Sequence, residues 1–243
     1  MPNFARFADN TDELAIVVAF DPGGTTGYCV MGVQPHVLLE RPARFDHDLM
    51  LHEELAHVEY GQIDCGTRHG QTGVGMARGH DGLNLPGEYD GIVKMLNIWD
   101  NFNGIAIVFE DFILDVKKAN MGRDLLTPVR IIAGFSTLLQ YSYGPEALNY
   151  IFIQNRSLAK TTCTDERLMN WGLYDRNSGP HARDAVRHAF YFLRSCRGAD
   201  VDARYKRFLV WPHLFDDPQV RPRVKKDAVK AKSPVGQRIR RMG

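Results

Sequence analysis

Residues 14–28, "LAIVVAFDPGGTTGY", decide the architecture of this chain. Leu14 to Phe20 is apolar at every position. A strand covered on one face would alternate, so an unbroken run of this length reads as a strand buried on both faces of a sheet. The run is also far too short to cross a bilayer. It ends in Asp21, followed by Pro22, Gly23 and Gly24. Taken alone, Asp-Pro-Gly-Gly is ordinary turn chemistry. An acid at the end of a buried strand can equally hold a metal ion or sit against a phosphate, and what lies elsewhere in the chain decides among the three.

A second apolar strand, Ile105–Phe109, also ends in acid, at Glu110 and Asp111. Between the two, Tyr28–Val33 and His36–Arg41 read as strands around a Gln34-Pro35 turn, giving an antiparallel meander. Residues 46–60 read as a helix on the spacing of Leu49, Leu51, Leu55 and Val58. Residues 61–87 hold eight glycines and read as a long loop inserted in the domain. Helices are expected over 88–102, from 127 to about 143 with Thr127 as N-cap and Pro128 in the first turn, over 158–171, and over 182–194. A further strand is expected over 149–154. Strands in a meander followed by strands alternating with helices indicate an α/β mixed sheet flanked by helices.

If the two acid-tipped strands are parallel neighbours, Asp21 and Glu110 emerge at one sheet edge. In "HARDAVRHA", His181 and Asp184 stand three residues apart, on one helical face that can pack across that edge. Clustered carboxylates repel one another unless a cation joins them, and hard oxygen donors suit Mg²⁺ or Mn²⁺. Two such ions can clamp a phosphodiester between attacking water and departing oxygen. His188 repeats the helical spacing and reads as a packing residue. Asp111 would point to the other side of a continuing strand and reads as a solvated or supporting acid.

"DPGGTTGY" after one apolar strand, "IVFED" at the end of another and "HARDA" opening a late helix resemble, in that order, the metal-ligand motifs of RuvC-type Holliday-junction resolvases, and the phage-encoded branch most. The likeness spans roughly residues 14–195. It implies an RNase H-like fold with a mixed five-stranded sheet. It also implies Mg²⁺-dependent endonuclease chemistry at Asp21, Glu110, His181 and Asp184, with two ions, Mn²⁺ as a substitute, and a homodimer acting on four-way or other branched DNA during recombination, replication or packaging. Asp21 resembles the ligand shared by both ions. His181 falls where that family uses Asp or His, as a ligand or as a group stabilising the leaving oxygen. Lys117, Lys118 and Arg123 follow Glu110 where family members touch DNA, and Lys160 is placed to meet a phosphate. The chain departs from the bacterial pattern between its DPG and TG, which stand one residue closer, and in "SLAKTTCTDERLMNWG", which replaces a glycine-rich stretch.

The net charge of +1 hides an asymmetry: residues 197–243 carry 13 Lys and Arg against 5 Asp and Glu, whereas residues 1–196 carry 17 against 24. Residues 1–196 are therefore expected to form the nuclease domain, and residues 197–243 a basic, partly disordered extension. Arg221, Arg223, Lys225 and Lys226 open its most cationic stretch, which suits the phosphates of nucleic acid. Four scattered cysteines without a CxxC pair, and no signal-like opening, lead to the expectation of a cytoplasmic protein outside the membrane, in a bacterial host if phage-encoded.

Other functions share parts of this pattern. Sugar-kinase and actin-like ATPases use a similar Asp-x-Gly-x-Thr loop but need two such domains. Hybrid, flap and terminase-type nucleases share the carboxylates, and a catalytically silent branched-DNA binder would not need them intact.

Overall fold

A computed structural model of the chain describes residues 13–39, 54–65, 85–100, 106–112 and 126–215. Its centre is a five-stranded mixed sheet flanked by helices, in the order β3-β2-β1-β4-β5. β1 (Ala15–Asp21) pairs antiparallel with β2 (Thr25–Val33), and β2 pairs antiparallel with β3 (Leu55–Asp64). On its other side β1 runs parallel to β4 (Ala106–Glu110), which runs parallel to β5 (Ile151–Gln154). This is the α/β architecture expected from the sequence, with the wholly apolar β1 in the middle.

Strand parity sorts the core into two layers. Ala15, Val17 and Ala19 of β1, Cys29 and Met31 of β2, and Ala106 and Val108 of β4 face one layer; Ile16, Val18, Phe20, Tyr28, Val30, Ile107 and Phe109 face the other. The second layer is covered by α2 (Leu85–Asp100) and α3 (Thr127–Tyr143), through Ile92, Met95, Ile131, Phe135 and Leu139. The first is covered by α6 (Pro180–Ser195), through Ala185, Val186, Ala189, Phe190 and Leu193. Asp21 and Glu110 continue the parity of Ala19 and Val108, so both carboxylates leave the sheet on the α6 side.

Several local expectations are corrected. Residues 36–39 are not a strand: α1 (Pro35–Leu39) begins on the proline and buries Val37 and Leu38 in the α6 layer. The meander's third strand is β3 instead, formed from residues expected to end a helix and begin a loop; residues 46–53 lie outside the described part. As an edge strand β3 is half-buried along most of its length, so it shows no clean alternation. Thr127 is not the cap of α3. Leu126 holds that position, and the Thr127 hydroxyl donates to Glu88 of α2 (3.3 Å), which Arg130 also grips through Nε (2.8 Å). The helix expected over 158–171 is two, α4 (Arg156–Thr162) and α5 (Asp165–Asn170), because the Thr164 side chain accepts from the Arg167 amide and starts a new helix. Of the glycine-rich segment, 61–64 belong to β3, 85–87 belong to α2, and 66–84 lie outside the described residues.

Packed structure also runs past residue 196. α7 (Val201–Val210) leads to Trp211, which is 1% exposed and donates from Nε1 to the Ile16 carbonyl at 3.0 Å. Phe215 joins the same cluster. Among the described residues, no helix is long and apolar enough to cross a membrane.

Candidate metal centre

Asp21 and Glu110 stand at the C-terminal ends of two adjacent parallel strands, where crevices of α/β sheets take ligands. The turn beyond Asp21 is held without its carboxylate. The Gly23 amide donates to Thr26 Oγ1 (3.2 Å), the Thr26 hydroxyl donates to the Gly23 carbonyl (3.0 Å), and the Cys65 amide donates to the Gly24 carbonyl (2.8 Å). Threonine closes the turn, and the aspartate is left for another use.

That use is set by α6. Gly179, at φ +81, precedes the helix, and Pro180 occupies its first turn. A Cβ on Gly27 of β2 would sit 1.9 Å from the His181 carbonyl oxygen, so the bare backbone of β2 lets the first turn of α6 lie directly on the sheet. His181 Nδ1 thereby comes 2.7 Å from Asp21 Oδ2, and Asp184 comes alongside both strand-end acids. One oxygen from each of Asp21, Glu110 and Asp184 lies within 4.8 Å of the others, and the three residues are 7%, 8% and 6% exposed. His181 sits beside this group, half-exposed and spent on Asp21 through Nδ1.

Cationic and polar side chains surround the acids from two sides. From inside, Arg187 pairs with Asp184 Oδ1 and with Asp165, and donates from Nε to the Cys163 carbonyl at 2.9 Å. His188 Nε2 lies 3.0 Å from Glu110 Oε2. From outside, Lys160 Nζ is 2.7 Å from Asp184 Oδ2, and Arg156 Nε is 3.2 Å from Glu110 Oε1. Arg156 and Lys160 also line an open cleft of about 460 Å³ with Thr164, Arg183, Asp184 and Arg187. The inner contacts fix Glu110 and Asp184; the outer ones belong to long, solvent-reaching side chains that an arriving cation or phosphate can displace.

Burial pushes the Asp21 carboxyl above its ordinary value. The His181 hydrogen bond opposes this, and the charges of Glu110 and Asp184 add to it. The hydrogen bond to Asp21 in turn pushes the His181 imidazole up, against its own burial. Three nearly buried carboxylates with oxygens this close are the hard donor set a divalent cation satisfies, so these residues fit Mg²⁺ or Mn²⁺. The buried thiols offer no competing chemistry: desolvation holds Cys196 at about 12 and moves Cys29 upward as well, so neither is a thiolate at neutral pH.

The raised values predict a pH dependence of stability. Asp21 and His181 both bind protons more tightly folded than unfolded. Each therefore contributes stability that is complete below its ordinary value, 3.8 and 6.5, and is lost as pH rises through its folded value. His57, pushed down by burial, acts in the opposite sense, so the site's share is read as a difference between proteins. In EDTA, the melting-temperature advantage of the wild type over His181→Asn should shrink as pH is raised from 6.5. An advantage that grows over that range would contradict the His181–Asp21 pairing.

The structure brings together Asp21, Glu110, His181, Asp184 and Lys160. Lys117, Lys118, Arg123, Arg221, Arg223, Lys225 and Lys226 lie outside the described residues. Sequence reasoning missed Arg156, Arg187 and Gln154, and took His188 for packing alone. The signal for His188 was present, since 181, 184 and 188 share one face of α6.

No protein-family model matches the chain, and no curated protein matches it. Among solved structures it is similar to T. thermophilus RuvC in complex with a Holliday junction substrate, at 16% identity over 72% of this chain and 90% of that one, with a TM-score of 0.43.

Proposed function

We propose that this chain is a divalent-metal-dependent endonuclease that hydrolyses phosphodiesters in four-way or other branched DNA. The observation that carries the chemistry is the buried Asp21–Glu110–Asp184 cluster, with oxygens within 4.8 Å at two parallel strand ends and one helix. The substrate class rests on the ordered likeness of "DPGGTTGY", "IVFED" and "HARDA" to the resolvase motifs.

In this reading Asp21, Glu110 and Asp184 hold Mg²⁺ or Mn²⁺, one ion or two. Such a cation, when bound, supplies Lewis acidity: it offsets charge on phosphodiester oxygens and acidifies water. Arg187 keeps Asp184 turned toward the strand ends through its contacts with α4 and α5. His181 shares its Nδ1 proton with Asp21, which orients the ring at the rim of the site. Arg156 and Lys160, which reach the carboxylates from the solvent side, would turn their charges to the phosphates of the strand being cut once the carboxylates held a cation. The basic stretch with Arg221, Arg223, Lys225 and Lys226 adds sequence-independent attraction to DNA, as Lys117, Lys118 and Arg123 do beyond β4. Action on a two-fold symmetric junction calls for a homodimer.

The test is cleavage of a labelled four-way junction beside a matched linear duplex, a flap and an RNA–DNA hybrid, each with Mg²⁺, Mn²⁺ or EDTA. Paired symmetric nicks in the junction, abolished by EDTA, are expected. Preference for the flap or hybrid would keep the chemistry and reassign the substrate. Binding of branched DNA without cleavage in either metal would overturn the enzymatic reading.

A further inference from the structure

The contacts behind Glu110 are of a different kind from those in front of it. His188 is fully buried in α6, yet both ring nitrogens have partners: Nε2 lies 3.0 Å from Glu110 Oε2, and Nδ1 lies 3.0 Å from Gln154 Oε1. Gln154 is the cross-strand partner of Glu110 at the ends of β5 and β4, and its carbonyl accepts from the Asp111 amide at 2.7 Å. By strand parity it lies on the α6 side with Phe152, which packs in that layer. Backbone pairing thus holds the Gln154 Cα against the Glu110 strand, and the imidazole closes a three-residue chain from β4 through α6 to β5.

Hydrogen-bond chemistry sets the direction of that chain. An ionised Glu110 presents only lone pairs, so the ring proton that faces it sits on Nε2. Nδ1 then meets the Gln154 amide, whose oxygen and NH₂ exchange places by a simple flip. One carboxylate oxygen, Oε2, is occupied from inside, while Oε1 faces Arg156 on the cleft side, 3.2 Å from its Nε. A histidine that served only to fill the core would need no carboxylate at this position, and an apolar side chain would fill the same buried place without two polar partners to satisfy.

We propose that His188, backed by Gln154, is a positioning residue for the metal: it pins Oε2 of Glu110 so that Oε1 is presented to the cation, and thereby sets how tightly the site holds it. The inference rests on the reading of Asp21, Glu110 and Asp184 as a metal site, and it requires nothing of the DNA substrate. Groups that orient a metal's ligands typically change affinity ~10–100-fold when removed.

The experiment is Mn²⁺ binding to the full chain without DNA, followed by electron paramagnetic resonance, together with the melting-temperature rise that Mn²⁺ produces over EDTA. His188→Leu should weaken Mn²⁺ binding ~10–100-fold and shrink the Mn²⁺-dependent rise in melting temperature. His188→Gln places an amide NH₂ where Nε2 stood and should recover most of the affinity. Gln154→Leu leaves the ring without its backing and should give an intermediate loss. A role in packing alone would lower the melting temperature equally in EDTA and in Mn²⁺ and leave affinity unchanged; that result in a folded His188→Leu protein overturns the proposal. If His188→Leu does not fold, Gln154→Leu decides, and wild-type affinity there overturns it. A wild type that binds no Mn²⁺ sinks this inference along with the metal reading, whereas a wild type that binds Mn²⁺ and cuts no DNA defeats only the proposed activity.

Discussion

Asp21→Asn and Glu110→Gln proteins are expected to cut junction DNA at least ~10³-fold more slowly than wild type in Mg²⁺, while binding the same DNA with nearly unchanged affinity. Each substitution exchanges one oxygen for an NH₂ at constant volume, so packing at a nearly buried position is kept and only charge and metal-donor capacity are lost. The direction of the stability change separates this from a folding defect. Burial holds the Asp21 carboxyl above its ordinary value, and the charges of Glu110 and Asp184 push it further. Removing one of three mutually repelling charges therefore relieves the apo protein, against the weakening of the 2.7 Å contact to His181 in the Asp21 variant. In the Glu110 variant the same relief is set against weaker contacts to His188 (3.0 Å) and Arg156 (3.2 Å), so the diagnostic is a folded protein that gains much less in melting temperature than wild type on addition of Mn²⁺. DNA affinity persists because Lys160 and Arg156 remain at the rim. Cleavage by either variant at a rate near wild type would remove these residues from the chemistry.

The parts of the fold that were legible in the sequence are those where one physical demand acts alone. β1 and β4 are buried on both faces, so their side chains have to be apolar at every position, and the acid that ends each run stands out. β3 and α1 were misread because two demands compete there. β3 pairs on one side only, and its half-buried residues carry the Leu55 and Val58 spacing of a helix without being one. In α1, Val37 and Leu38 are adjacent apolar residues that serve a strand or a buried helical turn equally well; the contact that chooses the turn is made 169 positions away, where Arg207 donates to the Leu38 carbonyl at 3.0 Å. The candidate site divides in the same way. Its carboxylates are marked by position at strand ends and helix starts. Arg187 and His188 sit in a helix whose apolar stripe already accounts for their burial, and only the juxtaposition of α6 with Glu110, Gln154 and Asp165 separates a supporting contact from a packing one.

Gly27→Ala is expected to destabilise the protein by ~1–3 kcal/mol, the usual range for overpacking a tight contact, and to lower cleavage ~10²-fold or more. The added Cβ would lie 1.9 Å from the His181 carbonyl oxygen, 2.2 Å from the carbonyl carbon and 2.7 Å from the Ala182 amide. All three are backbone atoms, so no side-chain rotation relieves the clash. Reaching an ordinary contact of 3.4 Å from 1.9 Å requires a separation of about 1.5 Å between β2 and the first turn of α6. β2 cannot yield easily, because Gly27 pairs with Asp21 on one side and Gln62 on the other. The displacement therefore falls on α6, which carries His181 and Asp184. That motion opens the 2.7 Å contact to Asp21 and widens the carboxylate cluster, so metal affinity and cleavage should fall together. Gly24→Ala, in the turn just before β2, is the control: a Cβ there meets nothing within 4 Å, so near-wild-type stability and cleavage are expected. Equal behaviour of the two variants would show that α6 does not rest on β2 at Gly27. A selective loss in Gly27→Ala would mean that the last glycine of "DPGGTTGY" serves the site as directly as the aspartate that opens it, by letting the helix that bears Asp184 approach.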